Sequence, residues 1–160
     1  MLKIDVHTHI IPRNMPRWTE KFGYGNFIHL EDSKREGYAR MMQGNNFFRE
    51  IASNCWDEDE RMSEYKQSGV DVQVVCTIPV MFSYNAKPND TLELARFLND
   101  HIADLVTKYP KNYVGLCTVP LQDVDLAIKE LERAKSIGFA GVQIGSNIND
   151  LNLNEPQFFP

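Results

Sequence analysis

The stretch "KIDVHTHIIP", residues 3–12, decides the fold class. It is a short apolar run, typical of a buried strand, that ends in two histidines and a proline. Side chains two apart on a strand share a face, so His7 and His9 are predicted to project together. Imidazole nitrogen binds Zn, Fe or Ni, so the pair is a candidate metal site. Asp5 is expected on the same face, either orienting an imidazole or as a buried polar group.

Three more segments are predicted to be strands buried on both faces: residues 71–79, 112–120 and 141–147. Each is short and rich in Val and Ile, as in parallel sheets covered by helices. Helical patterns separate them at residues 57–69, 91–110 and 123–138, with Asp90 or Thr91 as the expected N-cap of the second. A further helix is expected to begin after Asn154.

Alternating strands and helices predict an α/β fold built from right-handed βαβ units. Four strands are about half of a (β/α)8 barrel, which needs about 250 residues. We therefore interpret residues 1–160 as the N-terminal half of a single metal-dependent barrel domain.

The connection after the first strand is unusually long, and residues 11–55 are predicted to form a loop insertion. Long loops in compact domains are usually functional, and this one leaves the edge where α/β barrels carry their sites. It contains Arg49, preceded by Phe48, in the apolar setting "NNFFREI". Two interpretations of Arg49 stay open: a guanidinium that binds a substrate carboxylate, or an Arg–Glu surface pair at the start of a helix.

Composition limits the other function classes. The chain has 17 Lys and Arg against 22 Asp and Glu, a net charge of −5, and no basic cluster, which disfavours nucleic-acid binding. No signal peptide or membrane span is evident, so a cytoplasmic protein without membrane contact is expected. The three cysteines are expected to be buried thiols. His29, in the insertion, and His101, on the polar side of a helix, are expected to face solvent.

Several segments of the sequence resemble those of a known protein family. "DVHTHIIP" (5–12) opening an α/β chain is similar to the metal-dependent amidohydrolase superfamily. The segments "FGYG" (22–25), "FFRE" (47–50), "PVMFSY" (79–84) and "GVQIG" (141–145) resemble, within it, the 2-amino-3-carboxymuconate-6-semialdehyde decarboxylase family. The resemblance extends from the first residue to the last.

That resemblance implies a distorted barrel with one zinc ion, acting as a homodimer on a small dicarboxylate. The implied reaction is a non-oxidative decarboxylation in the kynurenine route of tryptophan catabolism, which diverts the intermediate from quinolinate. His7 and His9 match the family's first two metal ligands, and Arg49 with Phe48 matches its substrate-binding pair. The other ligands and the catalytic histidine have no counterpart in residues 1–160, so no catalytic residue is predicted beyond the metal ligands.

Three alternatives stay open. A related aromatic-acid decarboxylase or a C–N hydrolase shares the same fold. An inactive truncated half-barrel predicts apolar strand edges exposed at the first and fourth strands. Met81, Phe82 and Tyr84 are candidates for a substrate wall or for ordinary packing.

Overall fold

A computed structural model describes residues 1–159. The elements in chain order are β1 Ile4–His9, α1 Trp18–Phe22, β2 Ile28–Asp32, β3 Tyr38–Gln43, β4 Asn46–Ala52, α2 Glu58–Ser68, β5 Val72–Cys76, α3 Pro88–Lys108, β6 Tyr113–Cys117, α4 Val124–Ser136, β7 Gly141–Val142, β8 Asn147–Ile148 and β9 Leu151–Asn152. Single 3₁₀ turns occupy Ser53–Cys55, Pro79–Met81 and Pro156–Phe158.

The central sheet has four parallel strands in the order β1-β5-β6-β7. Each helix carries the chain back to the end of the sheet where the previous strand began, so the next strand pairs beside it in the same direction. This is the pattern of the first strands of a (β/α)8 barrel. The predicted fold class is thus confirmed for these strands. The fourth strand is shorter than expected, since only two residues pair with β6.

The helices follow the predicted boundaries closely. Asp57 caps α2 by accepting hydrogen bonds from the N–H groups of Asp59 and Glu60, and Gly69 ends it with φ +68°, which glycine tolerates best. The predicted N-cap of α3 is wrong, because Pro88 occupies its first turn and places the cap at Lys87. The described residues contain no helix that is long and apolar enough to cross a membrane.

The predicted loop insertion is wrong in character, because residues 11–55 are folded. They contain α1 and an antiparallel sheet of order β2-β3-β4. Met41 of β3 packs with Trp18, Phe27 and Ile28 in one buried cluster, which α3 completes with Leu94 and Leu98. The aromatic residues of this segment are spread among polar ones, so its sequence lacks a regular alternation of apolar and polar residues. The strands β2, β3 and β4 are therefore recognised from their pairing and not from their sequence.

A buried charge joins α3 to α4. The Glu130 carboxylate, which is 0% exposed, accepts hydrogen bonds from Arg96, Arg133 and the Asn99 amide. Asn99 also bonds the backbone of Thr118 in both directions. This network connects both helices to Thr118, the residue directly after β6.

The last described residues differ from expectation. After Asn154 a 3₁₀ turn, Pro156–Phe158, takes the place of the predicted helix, and the short β8–β9 hairpin precedes it. At the edges of the central sheet, β1 leaves Ile4 and Val6 49% and 71% exposed, and Ile144 beyond β7 is 41% exposed. The apolar exposure lies on β1 and just after β7, since Gly141 and Val142 of β7 itself are partly buried. The half-barrel alternative stays a prediction.

Candidate metal and carboxylate site

A β-bulge in β1 sets the direction of the two histidines. Asp5 pairs with Gln73, but Thr8 pairs with Val75, so β1 carries one extra residue between them. His7 lies within the bulged segment and His9 after it, and their ring centres lie 4.8 Å apart with the planes at 84°. Two imidazoles bound to one ion at about 2.0–2.1 Å have ring centres roughly 5 Å apart. The predicted pairing of His7 with His9 is therefore present in the structure.

Asp5 lines one polar depression with His7 and His9, but within the described residues it accepts no hydrogen bond from either imidazole. In-register partners share a face, so the pairing of Asp5 with Gln73 places Asp5 on the face of β1 opposite His9. The Asp5 carboxylate accepts hydrogen bonds from the backbone N–H of His7 (3.2 Å) and from the hydroxyl of Tyr65 (3.1 Å). It holds backbone in place and touches neither imidazole.

A backbone carbonyl orients His9 instead. His9 Nδ1 lies 3.0 Å from the Thr77 carbonyl oxygen, which can only accept, so Nδ1 carries the hydrogen and Nε2 keeps its lone pair. Burial lowers the pKa of His9, and the nearby His7 lowers it further. A neutral imidazole with an available Nε2 is the form that binds a metal, so the donor set fits a divalent cation.

The described residues supply two such ligands and no more. No group of three or more His, Cys, Asp or Glu side chains within residues 1–159 is arranged to hold a metal ion. Catalytic zinc sites use three protein ligands and an open position. The ligand role of His7 and His9 stays a prediction, and within residues 1–159 no third ligand joins them.

A cavity of about 440 Å³ joins His9 to the insertion. His9 and Arg49 both line it, and between them lie apolar side chains that include Met41, Ile51 and Ile78. His7 and His9 also line a second, more polar depression of about 320 Å³, together with Asp5, Arg61 and Tyr65. The fold thus brings the predicted metal ligand His9 and the predicted carboxylate ligand Arg49, which are far apart in sequence, to one cavity.

The surface-pair interpretation of Arg49 is wrong. Arg49 lies on β4, not on a helix, and it forms none of the ion pairs found within residues 1–159. Glu50 turns the other way, toward Ser33 and Arg35. The Arg49 guanidinium lies 4.6 Å from the centre of the Phe48 ring, which leaves its N–H groups available to a ligand.

Phe48 supports Arg49 from outside the cavity. A register shift between Met41 and Met42 makes Phe48 the extra residue of β4, and it is 38% exposed. The cavity lining contains Arg49 but not Phe48. Of the residues after β5, Met81, Phe82 and Tyr84 are buried, which favours the packing interpretation, while Pro79 and Val80 line the cavity.

Sequence reasoning missed several residues near the site. Cys55 lines the cavity, and burial raises the pKa of its thiol. Arg61 is 6% exposed against β1, and nothing in the sequence indicated its burial. His29 is 5% exposed, since it belongs to a strand of the folded insertion, and His101 is partly buried with Nε2 shielded from solvent. The solvent-facing predictions for both histidines are wrong.

A parallel α/β sheet whose first strand ends in two imidazoles, beside a cavity with an available guanidinium, has the arrangement of a metal-dependent barrel enzyme. The chain belongs to the amidohydrolase family, whose sequence model matches residues 4–160. It is 51% identical over 160 residues to 2-amino-3-carboxymuconate-6-semialdehyde decarboxylase of Dictyostelium discoideum, covering 99% of this chain and 44% of that protein. The Caenorhabditis elegans protein of the same name is 36% identical, with coverages of 99% and 44%.

A solved structure supports the fold. The chain superposes on 5-carboxyvanillate decarboxylase of Novosphingobium aromaticivorans, complexed with manganese and a nitrobenzoic acid, with a TM-score of 0.72 and 21% identity. The match covers 98% of this chain and 45% of that one. The chain thus spans less than half the length of the curated relatives described above.

Proposed function

We propose that the full-length protein is a metal-dependent, non-oxidative decarboxylase. It converts 2-amino-3-carboxymuconate semialdehyde to 2-aminomuconate semialdehyde and CO2 in the kynurenine route, and residues 1–160 form the N-terminal half of its barrel. One observation carries the proposal: an oriented imidazole and a guanidinium without a carboxylate partner line the same cavity. We also propose a cytoplasmic homodimer, by resemblance to the family.

His7 and His9 would hold the metal, and we propose zinc. Two imidazoles suit zinc, while the manganese in the Novosphingobium structure supports a divalent cation in this fold. When bound, such an ion acts as a Lewis acid and lowers the pKa of bound water. The Thr77 carbonyl orients the His9 ring through Nδ1, which would leave Nε2 available to the metal ion.

Arg49 binds a substrate carboxylate. Its planar guanidinium offers parallel N–H donors that match a carboxylate. Met41, Ile51, Ile78 and Val80 give the cavity that Arg49 and His9 line an apolar wall, which suits the hydrocarbon part of a carboxylic acid. A dicarboxylate held at Arg49 therefore extends toward the histidine pair.

A second candidate is decarboxylation of an aromatic acid. A cavity with apolar walls and a single guanidinium also suits a benzoate, and the fold is shared with 5-carboxyvanillate decarboxylase. The 51% identity to the Dictyostelium protein over almost the whole chain favours the muconate substrate. The inactive half-barrel remains the alternative for residues 1–160 on their own.

The test compares substrates and metals on the full-length protein. The muconate semialdehyde and 5-carboxyvanillate are each supplied to chelator-treated protein and to protein reconstituted with zinc or manganese. The proposal is supported if the muconate semialdehyde absorbance falls with the zinc-reconstituted protein and not with the chelator-treated protein. Turnover of only the aromatic acid refutes the substrate, and turnover after complete metal removal refutes the metal-dependent reaction. Residues 1–160 assayed alone show whether this half is active by itself.

A further inference from the structure

A buried arginine contacts the metal-ligand strand from the helix behind it. Arg61 of α2 is 6% exposed, and its Nη1 donates a 2.8 Å hydrogen bond to the Gln73 side chain on β5. Its Nη2 donates to the backbone carbonyl of His9. No carboxylate within residues 1–159 forms an ion pair with it, and its Nε is shielded without a partner. Burying such a charge is costly, so the position calls for a compensating role.

One turn further along the same face of α2, Tyr65 contacts the other end of the bulged segment. Its hydroxyl donates to Oδ2 of Asp5 at 3.1 Å, and Oδ1 of Asp5 accepts from the N–H of His7 at 3.2 Å. Residues four apart on a helix lie side by side, so Arg61 and Tyr65 act as a pair. Together they hold residues 5 and 9 on either side of the extra residue in β1.

These contacts bear on the geometry of the histidines because the extra residue of a bulge can shift along the strand. A shift by one position turns the side chain at that position to the opposite face. For β1 that shift would move His7 away from His9, whose rings lie 4.8 Å apart. Val6, at the bulge, is 71% exposed, so apolar burial at that residue contributes little to keeping the register.

We propose that Arg61 and Tyr65 are positioning residues for the histidine pair: they hold the β1 bulge in the register that places His7 and His9 at one ion. The inference rests on the proposed function only in requiring a divalent cation at His7 and His9. It applies whichever carboxylic acid the enzyme decarboxylates.

The expected effect is a loss of metal affinity that exceeds any loss of stability. Removing groups that orient metal ligands typically weakens metal binding about 10- to 100-fold. We expect Arg61→Met to fall in that range and Tyr65→Phe at or below its lower end, since the phenylalanine keeps the ring and loses one hydrogen bond. Arg61→Lys restores one donor and should recover part of the affinity.

The experiment measures Zn²⁺ affinity of the full-length protein by competition with a chromophoric chelator. Visible absorption of the Co²⁺-substituted protein reports the ligand geometry. Lys66→Met, an exposed charge on the same helix, is the matched charge control. Val119→Ala, in a core cluster with Cys117, Ala127 and Ala134, controls for destabilisation without contact with β1.

A weaker Zn²⁺ affinity and an altered Co²⁺ spectrum in Arg61→Met, with both controls unchanged, support the inference. Wild-type affinity and spectrum in Arg61→Met and Tyr65→Phe overturn it, as does an equal loss in Val119→Ala at matched stability. A wild-type protein that binds metal but decarboxylates neither acid refutes the proposed reaction and leaves the positioning test intact. A wild-type protein that binds no divalent cation overturns both.

Discussion

Replacing Arg49 with methionine tests the carboxylate site most directly. Methionine keeps an unbranched side chain of similar reach and removes the charge and all donors. A hydrogen bond to a charged group contributes about 1.5–3 kcal/mol, and a paired guanidinium makes two. Arg49 is exposed at the cavity wall, so solvent weakens each bond, and we take about 1.5–3 kcal/mol for the pair. That corresponds to roughly 10- to 150-fold in kcat/KM.

The loss should appear mainly in KM. A carboxylate that stays bound through the reaction is held equally in the ground and transition states, and removal of such binding raises KM while kcat holds. Arg49→Lys keeps the charge without the planar pair of donors and should lie between wild type and Arg49→Met. Stability should change by less than about 0.5 kcal/mol, because Arg49 is exposed and forms no ion pair within residues 1–159.

The assay is the initial rate of muconate semialdehyde loss by the zinc-loaded full-length protein across a range of substrate concentrations. Arg35→Met is the matched control, since Arg35 belongs to the same insertion but already contacts Glu50 and the Tyr38 ring. An unchanged kcat/KM in Arg49→Met, or an equal loss in Arg35→Met, refutes the assignment of Arg49 as the carboxylate ligand.

Three further predictions concern the scaffold. Glu130→Ala should lower the free energy of unfolding by about 2–3 kcal/mol, read from the urea midpoint. Arg96, Arg133 and Asn99 would lose their buried acceptor, and partial solvation of the two arginines limits the loss. Burial lowers the pKa of His101 below its usual 6.5. The unfolded chain therefore binds a proton first as the pH falls below about 6.5, stability falls with it, and His101→Phe should flatten that part of a melting-temperature profile; coincident profiles would contradict this. Gly115→Ala places a methyl group 3.0 Å from the Phe139 ring and 3.1 Å from Ile102, and about 1–3 kcal/mol of destabilisation is expected by denaturant titration, with no loss indicating that the ring moves freely.

The sequence was sufficient for features set by local periodicity. Short β-branched runs predicted the four parallel strands, and amphipathic stripes with capping residues predicted α2, α3 and α4. The spacing of two residues between His7 and His9 was enough to predict that the imidazoles lie together, and their ring centres are 4.8 Å apart. The same rule could not reveal the bulge between Asp5 and Thr8, which places Asp5 on the face opposite His9.

Long-range pairing decided the rest. A bulge is defined by the register between two strands, so it cannot be recognised in the sequence of one strand. The face on which Asp5 lies is therefore set by its pairing with Gln73 of β5. The insertion became a sheet because its strands pair with one another and bury Met41 beneath α3, and this brought Arg49 to the cavity beside His9. Burial of Arg61 against the His9 carbonyl likewise depends on how α2 crosses the sheet. By itself the sequence determined which residue types were available to bind a metal and a carboxylate. Tertiary structure decided which of them meet, because distances between residues remote in the chain are set by packing.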